Sequence, residues 1–125
     1  MTENELSKEI IGAAIEVHRV LGSGLLESAY EEALCYELEL RGISYERQKY
    51  RPLNYKNKVL KTDYRIDLLV DGKVVIEIKA RETVSPIDKS QTLTYLRLSG
   101  IKLGLLINFH EPLLKNGITR IVNNL

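Results

Sequence analysis

The stretch RIDLLVDGKVVIEIKA, residues 65–80, constrains this chain more than any other. Two runs rich in β-branched residues flank Asp71-Gly72, a strong short-range signal for a hairpin turn. Side chains alternate between the faces of a strand, so the pairing register decides what each face carries. A two-residue turn at Asp71-Gly72 would pair Val70 with Lys73 and put Asp67 and Glu77 on opposite, mixed faces. A three-residue turn at Val70-Asp71-Gly72, with Gly72 in the left-handed position of a bulge, pairs Leu69 with Lys73 instead. That register sorts the pattern. Ile66, Leu68, Val74, Ile76, Ile78 and Ala80 share an apolar face, and Asp67, Leu69, Val75, Glu77 and Lys79 share the other. Asp67 then lies opposite Val75 and diagonal to Glu77, with Cβ atoms roughly 5–8 Å apart.

Two carboxylates in so apolar a hairpin are costly to bury unless something offsets them. Lys79 offsets only part of that charge. Oxygen donors without histidine or cysteine suit Mg²⁺ or Mn²⁺ better than zinc. On a solvated sheet face, Glu77 and Lys79 would be an ordinary ion pair, so the rest of the chain has to decide between the two readings.

Leu6, Ile10, Ala13, Ala14, Val17, Val20 and Leu21 recur at helical spacing behind a Thr2-x-x-Glu5 capping pattern. Gly22-Ser23-Gly24 interrupts that helix, and a second follows through Leu26, Ala29, Tyr30, Ala33, Leu34 and Leu38 until Gly42. From Ile43 to Ala80 the pattern changes to three strands, punctuated at Pro52-Leu53-Asn54 and Asp71-Gly72. Ser85, Pro86 and Asp88 form the opening of a helix over residues 86–99, with Gly100 as its stop. The apolar run from Ile101 to Phe109 reads as a strand covered on both faces, and a last strand follows Gly117. The order α, α, β, β, β, α, β, β describes an α/β fold.

A chain of 125 residues, 44% hydrophobic, suits one core, so residues 1–125 are expected to form a single domain. No run approaches the roughly 20 apolar residues that span a bilayer, and no opening apolar segment follows a basic start, so a cytoplasmic protein is expected. The single cysteine, Cys35, excludes an intrachain disulfide and a cysteine-based zinc cluster, and reads as a small buried residue. His18, near the end of the first helix, is expected to hydrogen-bond a backbone carbonyl, and His110 to lie in a loop.

The net charge of +1 points to no partner, but its distribution is polarised. Residues 1–39 hold nine acids and two bases; residues 40–125 hold eight acids and sixteen bases. Lys49, Arg51, Lys56, Lys58, Lys61 and Arg65 face only Asp63 over residues 49–65, with Tyr50, Tyr55 and Tyr64 interleaved. Such a segment attracts phosphate backbones, although lysines also guard edge strands against aggregation. In GLLESAY, residues 24–30, the residues Gly24, Glu27 and Tyr30 share one flank of the second helix, which makes Glu27 either a cap or a third carboxylate for the sheet. Gln91 and Tyr95 stand one turn apart on the third helix, where a surface role is the default, and beside a metal site they could hold water or phosphate.

The set Glu27, Asp67, Glu77-Ile78-Lys79 and Gln91 within this element order resembles the PD-(D/E)XK nuclease superfamily. More narrowly, GLLESAY resembles the motif of the GxxExxY proteins, and RIDLLV, VVIEIKA, QTLTYL and GLLINF follow in that family's order over about residues 8–121. Ile66 stands where the superfamily's name has proline. The resemblance implies a restriction-endonuclease-like fold: an α-β-β-β-α-β core with an extra N-terminal helix and a central mixed sheet flanked by helices. It further implies that Asp67 and Glu77 bind Mg²⁺ or Mn²⁺ with help from Glu27, and that Lys79 orients water or stabilises phosphate charge. Gln91, Tyr30 and Tyr95 would complete the pocket, and the basic segment would track nucleic acid, DNA or RNA. The reading is a metal-dependent nuclease, with specificity supplied by a homodimer or a partner protein. The alternative is a binding module that keeps the fold without turnover.

Overall fold

The computed structural model describes residues 1–125. Two helices open it, α1 (Glu3–Leu21) and α2 (Glu27–Leu40), followed by β1 (Tyr45–Tyr55), β2 (Lys58–Val70) and β3 (Val74–Lys79). Helix α3 (Pro86–Ser99), strand β4 (Leu103–Asn108), a single 3₁₀ turn (Leu114–Gly117) and β5 (Ile118–Val122) complete it. The five strands form one mixed sheet in chain order, antiparallel at every junction except the parallel β3–β4 pair joined through α3. This is the α/β architecture expected from the sequence. No helix is long and apolar enough to cross a membrane.

Thr2 and Glu5 form the expected capping box at the start of α1. The apolar stripe of α1, from Leu6 to Val17, joins Tyr30, Leu34 and Leu38 of α2 against Leu68, Val70, Val74, Ile76 and Ile78 of the hairpin and Leu103, Leu105 and Ile107 of β4. A smaller cluster, Ile66, Leu69, Val75, Tyr95 and Leu96, lies on the face covered by α3. Every residue of β4 is buried, as a strand covered on both sides requires. Gly104 lets α3 come close: a β-carbon there would stand 2.9 Å from the Thr92 methyl group.

The hairpin differs in detail from the expected register. Asp71 (φ 51°) and Gly72 (φ 64°) both take positive φ, and the Lys73 N–H donates to the Val70 carbonyl at 2.9 Å. The tight turn is therefore Asp71-Gly72, with Lys73 as one extra residue before the ladder begins at Val70↔Val74. Leu69, not Asp67, lies opposite Val75. The slip is by two residues, so Leu68, Val70, Val74, Ile76 and Ile78 keep one face and Leu69 and Val75 the other, and the ladder ends at Leu68↔Ile76, one residue short of Asp67 and Glu77. Ile66 is the exception: it packs on the α3 side with Leu69 and not with Leu68, so the alternation of β2 breaks between Ile66 and Leu68.

The β1–β2 turn also falls later than Pro52–Asn54. It is made by Lys56 and Asn57, both with positive φ, while Pro52 sits within β1 on the sheet edge, where a missing N–H is tolerated. Between the rungs Pro52↔Asp63 and Asn54↔Val59 the register shifts. Only Leu68–Val70 of β2 pair with β3, so the remainder of β2 leaves the sheet with β1 as a two-stranded ribbon.

Candidate active site

Where β2 parts from β3, the sheet forks. A cleft of about 330 Å³ lies in the fork, with Asp63, Tyr64, Arg65 and Ile66 from the base of the ribbon, Glu77 and Lys79 from β3, and Asp88, Gln91, Thr92 and Tyr95 from α3. Strand alternation turns Glu77 and Lys79 to the same side, and the helical period does the same for Asp88, Gln91, Thr92 and Tyr95.

Asp67 and Glu77 bridge the fork. Asp67 Oδ2 accepts the Ile78 N–H at 2.7 Å and Glu77 Oε1 accepts the Asp67 N–H at 3.1 Å. Side chains thus replace the rungs that the diverging backbones no longer make. Each acid spends one oxygen in this way, which leaves Asp67 Oδ1 and Glu77 Oε2 without protein partners and not buried. Burial, reinforced by Asp67, pushes the Glu77 carboxyl up to about 8; burial also raises Asp67, against the lowering effect of the Ile78 N–H. A cation between the two would relieve both costs, and oxygen-only donors fit a hard divalent ion.

Lys79 is half-buried and stands 3.9 Å from Asp88 Oδ1. Asp88, nearly buried, also accepts from the Ser85 N–H (3.0 Å) and hydroxyl (3.2 Å) and lies 3.4 Å from Arg81. The residue that caps α3 therefore also steers the site lysine, a second role that the capping pattern did not reveal. Gln91 and Tyr95 both line the cleft. Asn108, paired with Lys79 across the parallel ladder, holds the next turn of chain by accepting the Arg81 N–H and donating to its carbonyl.

Glu27 and Tyr30 do not line the cleft. Glu27, in the first turn of α2, accepts the Ala80 N–H at 3.3 Å, at the end of β3. Nowhere do three or more His, Cys, Asp or Glu side chains converge as a metal cage. Tyr30 is not on the rim of the pocket. Its ring is fully buried and stacks on Phe109 at 4.5 Å, and its hydroxyl donates to the Gly22 carbonyl and accepts the Leu25 N–H. It faces the core, where it braces the loop into α2, because i+3 from Glu27 turns it toward the sheet.

Of the basic residues, Arg65 lines the cleft, and Arg51 reaches the Leu98 carbonyl of α3 at 3.5 Å. Lys49 pairs with Glu46 on its own strand at 2.7 Å. Lys56, Lys58 and Lys61 stand on the outer ribbon. Cys35 is buried and its thiol is pushed up to about 11, as suits an inert core residue. His18 donates through Nε2 to the Glu111 carbonyl at 2.8 Å, as expected.

Glu31 escaped the sequence reading. It is buried on α2, with Oε2 accepting from Arg47 at 2.7 and 3.1 Å and Oε1 accepting from Gln48 at 2.8 Å, and its charge adds to the burial that raises Asp67. Its spacing of four residues from Glu27 was the available signal.

The family model of the PD-(D/E)XK nuclease superfamily matches residues 4–121. Among solved structures, the crystal structure of SSO0001 resembles the chain with a TM-score of 0.55 and 24% identity over 98% of its residues. The chain spans 62% of the length of that protein, and the likeness is one of fold. Comparison with curated proteins finds no match.

Proposed function

The chain belongs to the PD-(D/E)XK nuclease superfamily, and from that footing we propose that it hydrolyses phosphodiester bonds in nucleic acid at the fork between β2 and β3. The observation that carries this reading is that Asp67 is cross-bonded to the strand bearing Glu77 and Lys79, both of which line a cleft. Asp67 Oδ1 and Glu77 Oε2 would hold Mg²⁺ or Mn²⁺, with Glu27 assisting from the end of β3. Bound there, the ion supplies a Lewis acid for a phosphoryl oxygen and a water of lowered pKa.

The chain's own groups do the rest. Lys79, steered by Asp88, presents an ammonium to the negative charge that grows on the phosphate. Gln91 offers an amide that can orient water or a phosphate oxygen, and Tyr95 supplies a hydroxyl at the wall. Arg65 anchors a neighbouring phosphate, and Lys49, Arg51, Lys56, Lys58 and Lys61 draw the backbone along the ribbon. A cytoplasmic setting belongs to the same reading, as does a homodimer or partner protein that supplies specificity. One observation favours the alternative, a binding module without turnover: Glu27 is engaged with the Ala80 N–H, and no third acid joins the pair.

Calorimetry with Mn²⁺ on the wild type and Asp67→Ala, followed by cleavage of labelled DNA and RNA in the same samples, separates the two. The nuclease reading expects binding weakened by at least roughly a hundredfold in the variant, together with metal-dependent cleavage by the wild type. Wild-type protein that binds nucleic acid but neither binds Mn²⁺ nor cleaves would establish the module.

A further inference from the structure

Gln48 carries a φ of +51° in the middle of β1, a conformation that non-glycine residues rarely adopt within a strand. The rungs on either side are intact, Arg47↔Leu68 and Lys49↔Ile66, so the distorted residue stands opposite Asp67. Both ends of its amide are engaged: Nε2 donates to Glu31 Oε1 at 2.8 Å, and Oε1 accepts from Arg65 of the cleft wall. Glu31 is itself clamped by two hydrogen bonds from Arg47. Strain of this kind persists only where its surroundings over-determine it, and here a buried carboxylate on α2 does so.

We propose that Glu31 and Gln48 are positioning residues, a clasp from α2 that holds β1 out of the regular ladder so that Asp67 turns its carboxylate to β3 and Arg65 lines the cleft. With a regular Gln48, β1 would compete for the backbone of Asp67, and the side-chain bridge to Ile78 would lose its place. The distortion also accounts for Ile66 and Leu68 packing on opposite sides of the sheet. This inference rests on Asp67 belonging to the site, but its test needs no turnover.

The Ile78 amide reports the position of Asp67 directly, because Asp67 Oδ2 is its acceptor. Amide hydrogen exchange by NMR on the full chain, without metal, is compared for the wild type, Gln48→Val and Glu31→Gln, with Leu105 in β4 as the internal control. A β-branched residue resists positive φ, so Gln48→Val should speed exchange at Ile78 at least about tenfold while Leu105 changes less than about twofold. Glu31→Gln keeps the shape but removes the charge that holds Arg47, and should act in the same direction. It carries the test if Gln48→Val does not fold. Unchanged Ile78 protection in the folded variants, or a parallel rise at Leu105, overturns the proposal. Mn²⁺ calorimetry on the same samples keeps the two readings apart: a clasp-dependent Ile78 in a wild type that binds no Mn²⁺ sinks the nuclease and leaves the clasp. Wild-type Mn²⁺ binding with an indifferent Ile78 does the reverse.

Discussion

The side of the sheet turned to α1 and α2 buries a continuous cluster of twenty apolar residues, with Glu31 paired to Arg47 beside it, whereas the side turned to α3 gathers five and gives the remaining space to Glu77, Lys79 and Asp88. Both sides come from the same strands, residue by alternate residue. The thick side can hold the fold, which lets the thin side keep half-buried charges that oppose folding. Asp67 and Glu77 are tolerated because their bridging hydrogen bonds replace lost rungs, not because their charges attract.

The contrast breaks most readily on the thick side. Leu68→Ala, which opens a cavity among Val70, Ile76 and the α1 stripe, should cost about 2–5 kcal/mol in chemical denaturation. A cost below about 1 kcal/mol would mean that this side does not carry the fold.

The thin side should respond with the opposite sign. Glu77 is raised from 4.5 to about 8, so in chelator the folded protein holds a proton that the unfolded chain releases. Stability should therefore fall as pH rises from about 4.5 to 8 and level off above, with a contribution from Glu77 bounded by one proton, about 1.4 kcal/mol per pH unit. Asp67, raised as well, adds in the same direction. Glu77→Gln should flatten most of that slope and leave the metal-free protein more stable at pH 8 than the wild type. A wild-type curve that rises over this window would show the pair to be stabilising. The smallest effect is expected at the cap. Ser85→Ala removes the hydroxyl that bonds Asp88 and should cost about 1 kcal/mol, read as a lowered denaturation midpoint.

Much of this could be read in advance. Element order followed from hydrophobic period, and the capping patterns at Thr2 and Ser85 marked where α1 and α3 begin. Glu77 and Lys79 were legible as neighbours on one strand face and Gln91 and Tyr95 as one helix flank, but that the four line one cleft was implied only by the family resemblance. Tyr30 misled for a physical reason: an aromatic beside a candidate acid looks the same in sequence whether its ring faces solvent or core. Glu31 was hidden among the acids of α2: its spacing from Glu27 puts it on that flank, but its approach to Arg47 and Gln48, 16 and 17 residues onward, has no local signal.

The sequence by itself determined that Leu69, Val75, Glu77 and Lys79 are parted from Leu68, Val70, Val74, Ile76 and Ile78 along the hairpin. That follows from the alternation of side chains along a strand, and a slip of two residues leaves it unchanged. Only the tertiary structure decided that Asp67 and Glu77 meet where the ladder ends, that their oxygens take the place of missing rungs, and that Gln48 is bent against Glu31. These depend on how α2 lies across the sheet and where β2 leaves β3, and such packing between distant segments has no local period to announce it.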